Sequence, residues 1–133
     1  MTGLWTGLSA AAVLMAAPVW AQDVDCSNAQ TQMEMTFCAE QDWQTADADL
    51  NAAYAAAQKV MRAIDAGLPK AEQGAEANLR AGQRAWVTFR DATCAAEGYA
   101  MHGGSAEPML IYSCRTRLTE QRGADLWTMA TPY

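Results

Sequence analysis

Cysteines, a lone histidine and a few charged side chains are where chemistry would be sought in this 133-residue chain. Cys26, Cys38, Cys94 and Cys114 are spaced by 12, 56 and 20 residues. No C-x-x-C pair occurs, so a thioredoxin-like redox centre, a zinc ribbon and a C-x-x-C-H haem attachment are all excluded. An even count in a small exported domain reads as two disulfides, with a four-cysteine zinc site as the alternative. Four cysteines allow three pairings.

His102 is the single histidine. A multi-histidine metal site is therefore excluded, and a Ser-His-Asp triad is disfavoured. It sits in Gly98-Tyr-Ala-Met-His-Gly-Gly-Ser-Ala-Glu-Pro108. Gly103-Gly104 is no phosphate cradle, since no strand precedes it and no Lys-Ser/Thr follows. A loop with His102, Gly103, Gly104 and Ser105 can instead offer hydrogen bonds and close backbone approach to a partner. The bland alternative is a solvated turn. Asp47 and Asn51 lie one turn apart on a helix face, and Arg90-Asp91 could bridge to them. That set reads as an internal polar network; the rival reading is an acid/base site, which needs two acids converging on a cleft. The methionines read as gap-filling core residues rather than metal ligands. No cofactor and no enzyme activity are expected.

Charge narrows the partners. Nine Lys+Arg against fifteen Asp+Glu give −6, which argues against nucleic acid. The acids concentrate: residues 22–79 carry ten acids and three bases, residues 80–133 five acids and six bases. An acidic first half, with Asp42, Asp47 and Asp49, is either a plain solvated face or a steering surface for a basic partner.

These groups must be positioned by helices. After Asp25 the chain is rich in Ala, Gln, Glu, Met, Leu and Arg, and no stretch alternates as a strand would. Thr31-Gln-Met-Glu34 is a capping box. Residues 32–66 contain no Gly or Pro, and an apolar stripe runs Trp43, Leu50, Tyr54, Ala57, Met61, Ile64 and on to Leu68. One helix or two would fit; a bend near Gln44–Asp47 is expected, where helix formers are mediocre. Gly67-Leu-Pro69 ends this segment. A second helix is expected over 70–97, with Leu79, Gly82, Trp86, Phe89 or Arg90, and Thr93 on one face and Gly82 at a close helix contact. A third is expected from about Pro108 to Trp127, through Ile111, Cys114, Leu118 and Asp125 or Leu126. The fold class is all-α, a small antiparallel bundle of three to four helices stapled by two disulfides. Its aromatic core candidates are Trp43, Tyr54, Trp86, Phe89 and Tyr112, with Trp86 buried against Tyr54.

Residues 1–21 carry no charged side chain; an apolar run spans Leu8 to Ala17, and Val19-Trp20-Ala21 places small or modest residues at the usual cleavage positions. This reads as a signal peptide cleaved after Ala21, leaving a domain of residues 22–133. An uncleaved apolar anchor is the alternative. No Cys stands just after the run to carry a lipid, so no stable membrane anchor is expected after cleavage. The product would be periplasmic or secreted.

Two blocks carry a family resemblance. The first is Cys26-(11 residues)-Cys38 continuing into Ala46-Asp47-Ala-Asp-Leu50-Asn51-Ala-Ala-Tyr54. The second is Gln83-Arg-Ala-Trp86-Val-Thr-Phe-Arg90-Asp91-Ala-Thr-Cys94, then Cys114 and Leu118-Thr-Glu-Gln-Arg122. In this order they resemble the LprI-type lysozyme-inhibitor-like family of exported bacterial proteins, from Asp25 to about Leu126. The resemblance implies a protein that binds a lysozyme stoichiometrically, without chemistry of its own. The second reading is an envelope interaction or stress-tolerance domain that binds another protein or a cell-wall partner.

Cys26–Cys38 and Cys94–Cys114 are the expected pairs. A hairpin centred near Gly103-Gly104 sets Cys94 opposite Cys114, and the segment before Thr31 can fold back to Cys38. Two surfaces compete for the partner: the loop at His102–Ser105, and the acidic first half.

Overall fold

The computed structural model describes residues 24–131; the expected signal peptide lies outside them. Three helices follow in order: α1 (Gln32–Ala66), α2 (Ala75–Gly98) and α3 (Glu107–Met129). Single 3-10 turns lie at Lys70–Glu72 and Tyr99–Met101. Among the described residues there is no strand. No helix among them is long and apolar enough to cross a membrane.

The Thr31 box starts α1. Thr31 Oγ1 accepts from Glu34 N, and Glu34 Oε2 accepts from Thr31 N and Gln30 N. From there α1 runs unbroken for 35 residues, about 52 Å of helix. The expected bend at Gln44–Asp47 is absent. The Thr45 hydroxyl bonds back to Gln41 O, and Asn51 donates to Asp47, so these side chains are satisfied within the helix. Their propensity deficit is only tenths of a kcal/mol each, less than the burial of Ala46 and Leu50 beside them.

The second helix starts later than the sequence implies, at Ala75 rather than residue 70. The Asp65 carboxylate accepts from the N–H groups of Gly74, Ala75 and Glu76 at 2.9, 2.9 and 3.1 Å. Those orphan donors of the first turn fix where α2 begins. They also hold the Asp65 carboxyl below its usual range. A side chain at the end of α1 thus sets the register of α2.

Contacts define the topology. Arg62–Glu76 and Arg90–Asp47 join α1 to α2 in opposite directions. Cys94–Cys114 and Arg122–Gln83 do the same for α2 and α3. Consecutive helices are therefore antiparallel, and α1 and α3 run parallel: Gln32 meets Met109, and Asp49 meets Trp127. This parallel pair has the most extensive contact. Alanines allow it, with Ala46, Ala53 and Ala57 buried along α1. Gly123 of α3 sits where an added Cβ would lie 3.3 Å from Asp49 Oδ2. Gly82, expected at a close contact, is exposed with open space around it.

Two apolar clusters fill the bundle. One joins Leu50, Ala53, Ala57, Leu79 and Leu126, with Tyr54, Met61 and Trp86 against it. The other joins Cys94, Cys114 and Leu118, with Trp86 and Ile111. Trp86, expected buried, is only half-buried, because it packs at the junction of the two clusters. Phe89 is not core; it is 57% exposed, and Arg90 takes the inward place. Leu79, Cys94 and the disulfide fix the inward face of α2, and Phe89 lies about 100° off Arg90 around the helix. Ile64 and Leu68, expected on the apolar stripe, are exposed as well.

Both disulfides form as Cys26–Cys38 and Cys94–Cys114, with Cα separations of 5.5 and 5.4 Å. Both lie toward the end of the bundle where α1 and α3 begin.

Candidate functional site

Three places gather polar chemistry. In the first, the structure brings Asp47, Asn51, Trp86, Arg90 and Asp91 together. The Arg90 side chain is 8% exposed and lies between two indoles. Its Cζ is 5.6 Å from the Trp43 ring centre and 5.2 Å from that of Trp86. Arg90 Nε donates to Asp91 Oδ1 at 2.9 Å, and Nη1 to Asp47 Oδ1 at 3.4 Å. Asn51 steadies the other Asp47 oxygen. Arg115 adds a second guanidinium over Trp43, 4.9 Å from its centre, and lies 3.5 Å from Asp91. Tyr112 stacks on Trp43 at 5.7 Å, and burial pushes its hydroxyl pKa up, with Glu40 adding to the shift. Both guanidinia are matched by carboxylates from the chain. Leu50 and Tyr54 sit in or against the adjacent apolar cluster, and the Tyr54 hydroxyl accepts from Gln58. Arg115 and its pairing with Asp91 escaped the sequence reading; its spacing one residue after Cys114 was the available signal.

The second place is the α2–α3 connection. Here the sequence-predicted His102, Gly103, Gly104 and Ser105 are all exposed. His102 stacks on Tyr99, with ring centres 4.3 Å apart and planes 2° from parallel. Its Nδ1 lies 3.1 Å from Glu107 Oε1, while Gly103 N–H donates to Glu107 Oε2 at 2.8 Å. The Gly103 bond first, then His102, holds the Glu107 carboxyl below its usual range. Gly103 has φ +77°, a left-handed conformation that favours glycine. Tyr99 and Glu107, which order this turn, were not singled out in sequence, although Glu107 at four residues beyond Gly103 sits at capping distance.

The third place is a groove of about 630 Å³ between α1 and α3. Asp42, Ala46 and Asp49 line it from α1, and Glu120, Ala124 and Trp127 from α3, with two threonines and no basic residue. Trp127 is 43% exposed, and its Nε1–H donates to Asp49 at 3.2 and 3.3 Å. Asp42, Asp47 and Asp49 of the acidic first half are thereby divided. Asp47 turns to Arg90, while Asp42 and Asp49 face the groove. Among the described residues, no group of three or more His, Cys, Asp or Glu side chains is placed to hold a metal ion.

Comparison with known proteins agrees with this architecture. A relative in Rhizobium meliloti (strain 1021), an uncharacterised protein, is 42% identical over 115 residues, covering 83% of each chain. A crystal structure of a DUF1311 family protein from Pseudomonas putida KT2440 superposes with a TM-score of 0.66 at 25% identity, covering 77% of this chain and 97% of that one. The family described as "Lysozyme inhibitor LprI", an inhibitor-type family rather than an enzyme family, matches residues 25–126. That span takes in all three helices but the last turn of α3, both disulfides and the Arg90 cluster, and on it the chain belongs to the LprI lysozyme inhibitor family.

Proposed function

We propose that this chain is an exported protein that binds a lysozyme stoichiometrically and inhibits it by covering its cleft. The observation that carries this reading is the family match across residues 25–126. The physical features fit it. Two disulfides suit an oxidising compartment, and the apolar, uncharged residues 1–21 suit a leader cleaved after Ala21. The mature domain would then be residues 22–133, in the periplasm or outside the cell. Lysozymes are typically basic, and this chain carries −6.

The His102–Ser105 loop is the candidate for insertion into the cleft. It is exposed, its base is clamped by Glu107, and the Cys94–Cys114 bridge holds the helices on either side. Such order lowers the entropy lost on docking.

The test is a lysis assay. Mature protein is titrated into lysozymes of several classes acting on a cell-wall suspension. Lysis should fall to zero near one equivalent for at least one class. Undiminished lysis by every class at large molar excess refutes the reading. Replacing His102, Gly103, Gly104 and Ser105 by alanine should relieve inhibition if the loop inserts.

A further inference from the structure

We infer that the groove between α1 and α3 is a receptor for an arginine side chain presented by a basic protein partner. This rests on the inhibitor reading for the partner's identity, but its argument is local.

The molecule supplies its own template. In the Arg90 cluster, a guanidinium lies against indole faces while Asp47 and Asp91 bond its N–H groups. The groove repeats the receiving half of that arrangement. Trp127 forms one wall, and Asp42, Asp49 and Glu120 supply carboxylates. None of these three acids forms an ion pair among the described residues. Other acids on the bundle are matched by bases: Glu76 by Arg62 and Arg80, Glu97 by Arg117, and Asp91 by Arg90 and Arg115.

Acids on a surface would make only a negative patch. Here they line a concavity together with Ala46 and Ala124, whose methyl groups offer apolar surface to a long aliphatic stem. The indole of Trp127 is held in place from α1, because Asp49 accepts its N–H. Asp49 in turn lies over Gly123 of α3, where an added Cβ would come 3.3 Å from its Oδ2. The wall is therefore ordered before any partner arrives, which lowers the cost of binding. A planar guanidinium can stack on an indole and still bond carboxylates at its edge, which a lysine ammonium does less well.

The experiment uses the mature chain labelled with nitrogen-15, tetra-arginine and tetra-lysine as probes, and a lysozyme that the chain inhibits. Tetra-arginine should shift the Trp127 indole signal and the amide signals of Ala46 and Ala124, and tetra-lysine should shift them less. The variant Asp42→Asn/Glu120→Gln should lose at least ten-fold in apparent affinity for tetra-arginine. Its inhibition constant for the lysozyme should rise by at least ten-fold, and Trp127→Ala should act alike. Circular dichroism and melting temperature confirm that each variant is folded. Should the parent inhibit no lysozyme, the functional reading fails, and the groove is judged on tetra-arginine alone. An unmoved Trp127 signal, or parental affinity in Asp42→Asn/Glu120→Gln, overturns the groove. So does an inhibition constant unchanged in that variant.

Discussion

Two tryptophan–carboxylate sites, built from the same residue types, end in opposite states. Around Arg90, indoles and carboxylates enclose a guanidinium of the chain, at 8% exposure. Along the α1–α3 groove, Trp127 and three acids line an open concavity. The difference lies in which helix faces the site. Asp47 and Trp43 turn toward α2, whose Arg90 reaches them, whereas Asp42 and Asp49 turn toward a face to which α2 contributes nothing. A closed site adds to stability because its charges are paired and its rings are packed. An open one adds little, since its charges remain solvated and mutually repulsive. The first kind of site holds the fold and the second leaves affinity for something else.

The largest effect should come from opening the closed site. Arg90→Ala leaves Asp47 and Asp91 short of a cation and removes packing between two indoles. It should cost about 3–4 kcal/mol by urea unfolding. Arg90→Lys should recover only part of that, because a lysine cannot bond both carboxylates with one planar fork. A loss below about 1 kcal/mol would show that the two sites do not differ as described.

The disulfide beside the closed site comes next. Cys94 and Cys114 are 0% and 2% exposed, so Cys94→Ser/Cys114→Ser loses apolar packing as well as a 20-residue crosslink. About 3 kcal/mol is expected from the entropic model, read as a fall in melting temperature. Cys26 is exposed, so removing the Cys26–Cys38 bridge should cost less. Equal losses would show that burial near Trp86 contributes nothing to the bridge.

Much of this contrast was legible in the residues. The helical period, the Thr31 box and the four cysteines gave the fold class and both bridges. One-turn spacing put Asp47 and Asn51 on one face of α1, and Arg90 was a candidate to bridge to it. What failed was of two kinds. Local propensity misplaced the bend in α1 and the start of α2, because packing overrode the first and Asp65, nine residues before Gly74, decided the second. Single-helix patterns could not choose between Phe89 and Arg90, since the answer depends on where Cys114 and Trp43 sit. The groove was invisible for the same reason. Asp42 and Asp49 belong to one helix, Glu120 and Trp127 to another, and only the parallel pairing of α1 with α3 unites them.

Acid separates the matched carboxylates from the solvated ones. Asp65, Glu34 and Glu107 have folded pKa values below their ordinary 3.8, 4.5 and 4.5, chiefly through backbone N–H bonds. A depressed pKa means that their contribution is whole above the ordinary value and is lost as pH falls through the folded one. Stability should thus be flat from neutrality to about pH 5 and fall below about pH 4. Asp65→Asn should flatten that fall, measured by urea midpoints against pH. An unchanged slope would mean that the α2 cap contributes nothing.

The smallest effect carries the opposite sign and is the sharpest test of the open site. If Asp42 and Glu120 bind nothing within the chain, removing their charges breaks no ion pair and relieves repulsion among three acids on one groove. Asp42→Asn/Glu120→Gln should therefore leave stability unchanged or raise it by about 0.5 kcal/mol or less. The gain should shrink as salt is added, because screening already weakens the repulsion in the parent. Trp127→Ala is a useful companion, since its half-exposed ring should cost far less than Arg90→Ala. A melting temperature that falls in the charge-neutral variant would place Asp42 or Glu120 among the groups that hold the fold. The groove would then be a second structural cluster, and the contrast between the two sites would fail at its open end.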